Sequence, residues 1–180
     1  MKNSVIHVFH GSVFVVKNPE IRPVTRPLDF GVGFYITTLK KQAEHWAESK
    51  AKKTGQPSIV NVYNLNLAEL RKSLSTKGFK GTSDNWLDFV LRHRKESAYS
   101  LLTGKRPLLV AKQGVHHSFD LVSGEVADDD IFDSIELYES GVISKDELRR
   151  RVKIKRKNDQ MCFCTEEALS FLYFKEHYNV

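Results

Sequence analysis

The spacing of apolar residues changes period repeatedly along this chain, and each change predicts an element. Residues 6–9 form a short apolar run that reads as a first strand, and residues 13–16 continue the apolar path beyond a turn. Pro19, Pro23 and Pro27 make residues 18–28 an extended loop. Residues 34–37 predict a short strand. After it, Ala43, Trp46, Ala47 and Ala51 share one face at helical spacing, with Thr38 placed to cap that helix and Gly55 and Pro57 to stop it. Residues 58–65 set Val60 and Val62 against Ile59 and Tyr63, the alternation of a strand. A short helix is predicted over 67–74, and a longer one capped by Ser83 that gathers Trp86, Phe89, Val90 and His93 on one face. Residues 108–111, 119–126 and 161–164 read as strands. Ser144 and Glu147 form a capping box opening another helix, and Thr165-Glu166-Glu167 opens a last one with acidic residues suited to its dipole.

Strands and helices follow one another without a βαβ rhythm, which predicts an α+β fold with helices around a split or antiparallel sheet. No repeat, low-complexity tract or linker interrupts the 180 residues, so a single domain over 1–180 is expected. A chain of this length buries roughly 70% of its unfolded surface.

Charge and composition narrow the function only slightly. A formal charge of +6 favours nucleotide phosphates, nucleic acid or acidic partners without selecting among them. Residues 1–12 lack the apolar core of a signal peptide, and no run approaches the roughly 18 residues needed to span a bilayer. A cytoplasmic protein with no membrane partner is the expectation. Cys162 and Cys164 put both thiols on one face of a strand, too constrained for a relaxed disulfide and too few for zinc, so no metal is expected and both read as small buried apolar residues. His116 and His117 read as surface residues.

The densest chemistry lies in residues 29–38, Asp-Phe-Gly-Val-Gly-Phe-Tyr-Ile-Thr-Thr, read with His10-Gly11-Ser12 upstream. Gly31 and Gly33 mark a tight turn open to close approach by a ligand. Tyr35 offers a flat face for an aromatic ring, and His10 a ring nitrogen for a hydroxyl. The glycines do not lead directly into a helix and no Gly-x-x-x-x-Gly-Lys-Ser/Thr is present, which excludes the Rossmann fingerprint and the P-loop. Singly, His10 and Tyr35 each have an ordinary structural reading, as a strand-end residue and a core aromatic.

Taken together, His10-Gly11-Ser12, residues 29–38 and Gln160-Met161-Cys162-Phe163-Cys164-Thr165 follow the order and spacing of three motifs of the ADP-ribosyltransferase superfamily. The chain resembles the diphtheria-toxin and poly-ADP-ribose-polymerase branch. It is most similar to uncharacterised bacterial domains assigned to that superfamily, which carry comparable motifs at Trp86-Leu87-Asp88-Phe89-Val90, at residues 119–124 and at Ala127-Asp128-Asp129. The resemblance implies an ADP-ribosyltransferase-like split β-sheet core and NAD as substrate. It implies that His10 bonds the adenosine ribose, that Gly11 backbone groups hold the nicotinamide amide, and that Tyr35 stacks on the nicotinamide ring. Stacking needs the ring and not the hydroxyl, so Tyr35→Phe is expected to keep most activity. Ser12 and Gly33 belong to the same NAD-binding segments. Arg22 or Arg26 is placed to pair with the pyrophosphate, a contact suited to a guanidinium; the other reading of both is solvated loop charge.

The third motif departs from its better-known relatives. Gln160 stands where many carry glutamate, and Cys162 two residues on removes the Gln-x-Glu of arginine- and base-modifying toxins. A neutral amide can bond a ribose hydroxyl but is no general base. Glu166 and Glu167 lie near in sequence and read first as helix N-terminal charge. Poly-ADP-ribose growth is therefore disfavoured, and mono-transfer or NAD hydrolysis remains. The expected function is a mono-ADP-ribosyltransferase, the toxin of a toxin–antitoxin pair acting on a protein or nucleic-acid acceptor, with a small antitoxin protein as partner; the alternative is a non-catalytic NAD- or nucleic-acid-binding module. The basic run over 149–157 reads either as a solvated helix end or as a phosphate-backbone contact.

Overall fold

The computed structural model describes residues 5–23, 28–103, 117–127, 131–152 and 158–180. Arg26, His116, the predicted strand over 108–111, Asp128 and Asp129, and the basic residues 153–157 lie outside them.

The fold is α+β, with two sheets and, among the described residues, six helices. The first sheet has the order β1 (Ile6–Ser12), β3 (Ile59–Leu65), β7 (Leu172–Asn179), all antiparallel. The second has the order β2 (Phe34–Ile36), β6 (Asp159–Phe163), β5 (Leu121–Glu125), β4 (Thr76–Gly78), antiparallel except for the β4–β5 pair. A backbone bridge joins the sheets where Phe9 on β1 exchanges both hydrogen bonds with Thr37 just after β2.

Alternation along the strands sorts the core into layers. On β6, Met161 and Phe163 face the first sheet and join Val8, Tyr63, Leu65 and Phe34, while Cys162 faces the other way towards Trp86, Val90 and Leu148. Both faces of β6 are thus covered, which is why its last four residues are all buried. The helix α1 (Lys40–Thr54) lies on the outside of the first sheet through Ala43, Ala47 and Val60. The helices α3 (Asp84–Thr103), α4 (Ile131–Glu139) and α5 (Lys145–Arg151) cover the outside of the second, while α2 (Leu67–Ser73) buries Leu70 against the layer between the sheets. No described helix is long and apolar enough to cross a membrane.

Several local expectations hold. Gly55 ends α1 in the left-handed conformation (φ 69°), its N–H bonded to Ala51 O. Ser83 Oγ accepts from Trp86 N, and Ser144 Oγ from Glu147 N at the start of α5. Cys162 and Cys164 are buried free thiols 3.5 Å apart.

Others are corrected. Thr38 does not cap α1: its hydroxyl and that of Thr37 both bond the Asp159 carboxylate, and Leu39 takes the cap position without a side-chain bond. The last helix opens at Thr165 as expected, with Glu166 and Glu167 in its first turn, but α6 (Glu166–Leu169) is a single turn and the chain after it is the long strand β7. His117 is half-buried rather than an open surface residue; it accepts from Phe119 N, reaches Phe30 O at 3.3 Å and stacks on Phe89. The arginines of α5 are each matched by a carboxylate, Arg149 by Asp84 and Asp146, Arg150 and Arg151 by Glu147, so this part of the basic run is a set of surface ion pairs.

Candidate functional site

Beyond the Phe9–Thr37 contact β1 and β2 part, and the gap between them is the candidate site. A cavity of about 240 Å³ is lined there by His10 and Gly11 from β1, Tyr35 from β2, Gln160 from β6, Trp46 and Lys50 from α1, and Asp29, Arg94 and Ala127. It adjoins a wider lobe of about 960 Å³ that shares His10, Tyr35, Leu28 and Lys50 and adds Ser12, Phe14, Lys17, Arg22 and Gly33. His10, Tyr35 and Gln160, predicted from three distant stretches of sequence, converge on the smaller cavity.

The state of His10 follows from its partners. Its Nδ1 lies 2.7 Å from the carbonyl oxygen of Tyr35, a pure acceptor, so Nδ1 carries the hydrogen. Its ring stacks on Phe34 with centroids 4.5 Å apart. Burial, with the nearby Lys50 ammonium, lowers its pKa to about 4 against the Tyr35 hydrogen bond. The ring is neutral at pH 7, and Nε2 presents a bare lone pair.

This shift has a testable sign. The unfolded ring titrates near 6.5 and the folded ring at about 4, so between those values only the unfolded chain binds the proton. The contribution is full above pH 6.5 and is lost as pH falls towards 4. His10→Gln should remove that part of the slope. Denaturant midpoints of both proteins across this range measure it, and parallel curves would mean that His10 is not shielded.

Tyr35 is more tightly bound than a stacking platform requires. Its hydroxyl donates to Gly31 O at 2.7 Å and accepts from Phe30 N at 3.1 Å, clamping the turn over 28–31. Burial pushes the phenol's pKa up and keeps it protonated. Beside the ring face expected to stack, the hydroxyl has a part of its own, holding the loop that carries Asp29.

The glycines also answer to packing that the sequence did not reveal. A Cβ on Gly11 would lie 2.8 Å from Ala47 N and closer still to Ala43 O, so Gly11 lets α1 rest on β1. A Cβ on Gly33 would lie 2.5 Å from Phe163 O and closer to Cys162 Sγ, so Gly33 is set by packing on β6. Of Gly31 and Gly33, it is Gly31 that has the positive φ, 89°, that the turn needs. Because Phe9 turns its backbone groups towards β2, strand alternation turns those of Gly11 into the same gap. There Gly11 O accepts from Lys50 Nζ at 2.6 Å. Ser12 Oγ accepts from Phe14 N and shapes the turn after β1. Arg22 is exposed on the wider lobe, 3.6 Å from Glu20. Glu166 accepts from Ile21 N, and neither it nor Glu167 lines the cavity or the wider lobe.

Behind Gln160 lies a buried network that sequence reasoning missed. Asp29 Oδ1 accepts from Arg94 Nε at 2.7 Å and from the Arg94 terminal nitrogen. Its Oδ2 accepts from Gln160 Nε2 at 2.7 Å and Ala127 N at 2.8 Å. Gln160 Nε2 also donates to Glu125 O at 3.1 Å. Lys50 was missed as well; the residue is exposed, but its ammonium end is set against the cavity mouth, and that desolvation lowers its pKa. Its one sequence signal was its place one turn after Trp46, on the same helix face. Among the described residues, no group of three or more His, Cys, Asp or Glu side chains is placed to hold a metal.

Chemically, the cavity combines a neutral imidazole, an amide and an aromatic ring with one ammonium group. Comparison with curated proteins and with solved structures returns no match to either. One protein-family model matches residues 6–174, a span that includes all the cavity-lining residues. The chain belongs to that family, DUF3990, whose members are proteins of unknown function.

Proposed function

We propose that this protein is a mono-ADP-ribosyltransferase that uses NAD as substrate, on an ADP-ribosyltransferase-like split-sheet core. The observation that carries the reading is the convergence of His10, Tyr35 and Gln160 on one cavity, with a cation-lined lobe beside it. The two lobes suit a dinucleotide: a small chamber with an aromatic wall for the nicotinamide end, and a wider one bearing Lys17, Arg22 and Lys50 for phosphates.

The chemistry asks for little covalent help from the protein. The bond between nicotinamide and ribose breaks, its electron pair leaves with the nicotinamide, positive charge develops on the ribose, and a nucleophilic atom of the acceptor, or water, bonds that carbon and gives its proton to solvent. A site that holds the dinucleotide and aims dipoles at that charge lowers the barrier. His10 Nε2 accepts a ribose hydroxyl in its neutral state. Gln160 contributes its amide oxygen, as argued below. Lys50 holds Gly11 O and keeps donors for a phosphate.

The test uses NAD labelled in its adenylate half, incubated with the protein and separate pools of cellular protein, RNA and DNA. Label should move to one pool, and His10→Gln should slow the transfer on the order of 100-fold. Tight NAD binding with no transfer to any pool would instead favour a binding module without catalysis.

A further inference from the structure

A glutamine amide can sit either way round, and which end faces a ligand decides what it can do. At Gln160 the surroundings choose. The side-chain nitrogen lies between Asp29 Oδ2 at 2.7 Å and the backbone oxygen of Glu125 at 3.1 Å, two acceptors and no donor. Turned round, the amide would set oxygen against both. The nitrogen is therefore the inner atom, both its hydrogens are used, and Oε1 is the atom left for the cavity that Gln160 lines.

Asp29 is fixed just as firmly. Its two oxygens accept four hydrogen bonds, two from Arg94, one from Ala127 N and one from Gln160, which fills a carboxylate. We propose that Asp29 is a positioning residue that acts through Gln160, locking and polarising its amide so that Oε1 faces the reacting ribose. This rests on the reading of the site as one that cleaves NAD. The charge that many ADP-ribosyltransferases carry at the third motif is, in this chain, held one hydrogen bond behind it. Asp29→Asn would put an NH₂ where one pair of donors now finds an oxygen; with that NH₂ towards Gln160, the Glu125 carbonyl alone would orient the amide, which would then be held less firmly and without the carboxylate's charge.

The test pairs a spectroscopic signature with kinetics. In the folded protein the Gln160 side-chain amide, assigned by loss of its NMR signal in Gln160→Ala, should show slow proton exchange; in Asp29→Asn it should shift and exchange faster. Single-turnover nicotinamide release should fall on the order of 10-fold in Asp29→Asn, with NAD affinity changed less than about threefold. Gln160→Glu alone sets two carboxylates at hydrogen-bond distance, so they must share a proton and the rate should become pH-dependent. The double variant Asp29→Asn/Gln160→Glu restores one charge and one amide with roles exchanged, and should be faster than Asp29→Asn. An amide signal unmoved in Asp29→Asn, or a wild-type rate there, would overturn the proposal. An amide that shifts as expected in a wild-type background that releases no nicotinamide would leave the Asp29–Gln160 lock standing and remove the reading of the site as NAD-cleaving.

Discussion

Asp29→Ala should destabilise this protein more than any other single side-chain truncation near the cleft. The carboxylate is 2% exposed and Arg94 5%, so both charges were taken out of water and are compensated by each other and by hydrogen bonds. Truncation takes the Asp29 carboxylate away from the guanidinium, from Ala127 N–H and from the Gln160 amide together. Breaking one half of a buried ion pair costs about 3–5 kcal/mol. In a domain of this size that lowers Tm by roughly 10 °C. Thermal unfolding followed by circular dichroism measures it. A Tm within a degree or two of wild type would mean that Asp29 and Arg94 are not buried against one another.

Gly11→Ala should be comparably severe for a different reason. The new methyl meets backbone, Ala43 O and Ala47 N, and no rotamer change relieves it. The helix α1 would have to lift from β1, breaking the contact of Ala43 and Ala47 with Val60 and drawing Trp46 and Lys50 away from the cavity. Overpacking costs about 1–3 kcal/mol where side chains can yield, and here the yielding part is a helix, so the loss should be at or above the upper end. Gly55→Ala is the control. Nothing lies within 4 Å of its Cβ, and its φ of 69° carries only the left-handed penalty of about 1–2 kcal/mol. Equal midpoints for Gly11→Ala and Gly55→Ala in urea would contradict the close packing of α1 on β1.

What the sequence made legible was local. Periodicity located β1, β3, α1 and the buried face of α3, because Val60 against Tyr63 and Trp86 with Val90 follow the geometry of their own element. Capping serines located the starts of α3 and α5 for the same reason. Features whose cause lies across the molecule were hidden. Thr38 has the chemistry of a helix cap, but Asp159 offers its hydroxyl a carboxylate instead. Glu166 and Glu167 start a helix that the pairing of residues 172–179 with β3 ends after one turn. The three residues of β4 hold no pattern and form a strand only because β5 lies alongside. The α4 helix was not anticipated at all.

The candidate site divides in the same way. His10, Tyr35 and Gln160 were found because they sit in recognisable motifs. Gly11 and Gly33 stood out as open backbone, yet each is glycine because another element presses on it. Asp29 was within the most conspicuous segment and was given no role, since its partners Arg94, Ala127 and Gln160 are distant in sequence. Arg94 follows His93 on the buried side of α3 and carries no motif of its own.

The central claim is that this cavity cleaves NAD between nicotinamide and ribose, and nicotinamide release tests it most directly. With protein in excess over NAD, a single turnover of the wild type should release nicotinamide stoichiometrically, and His10→Gln and Gln160→Ala should each be slower on the order of 100-fold while remaining folded. Equal rates in all three, or no release by a wild-type protein that retains its fold, would contradict it.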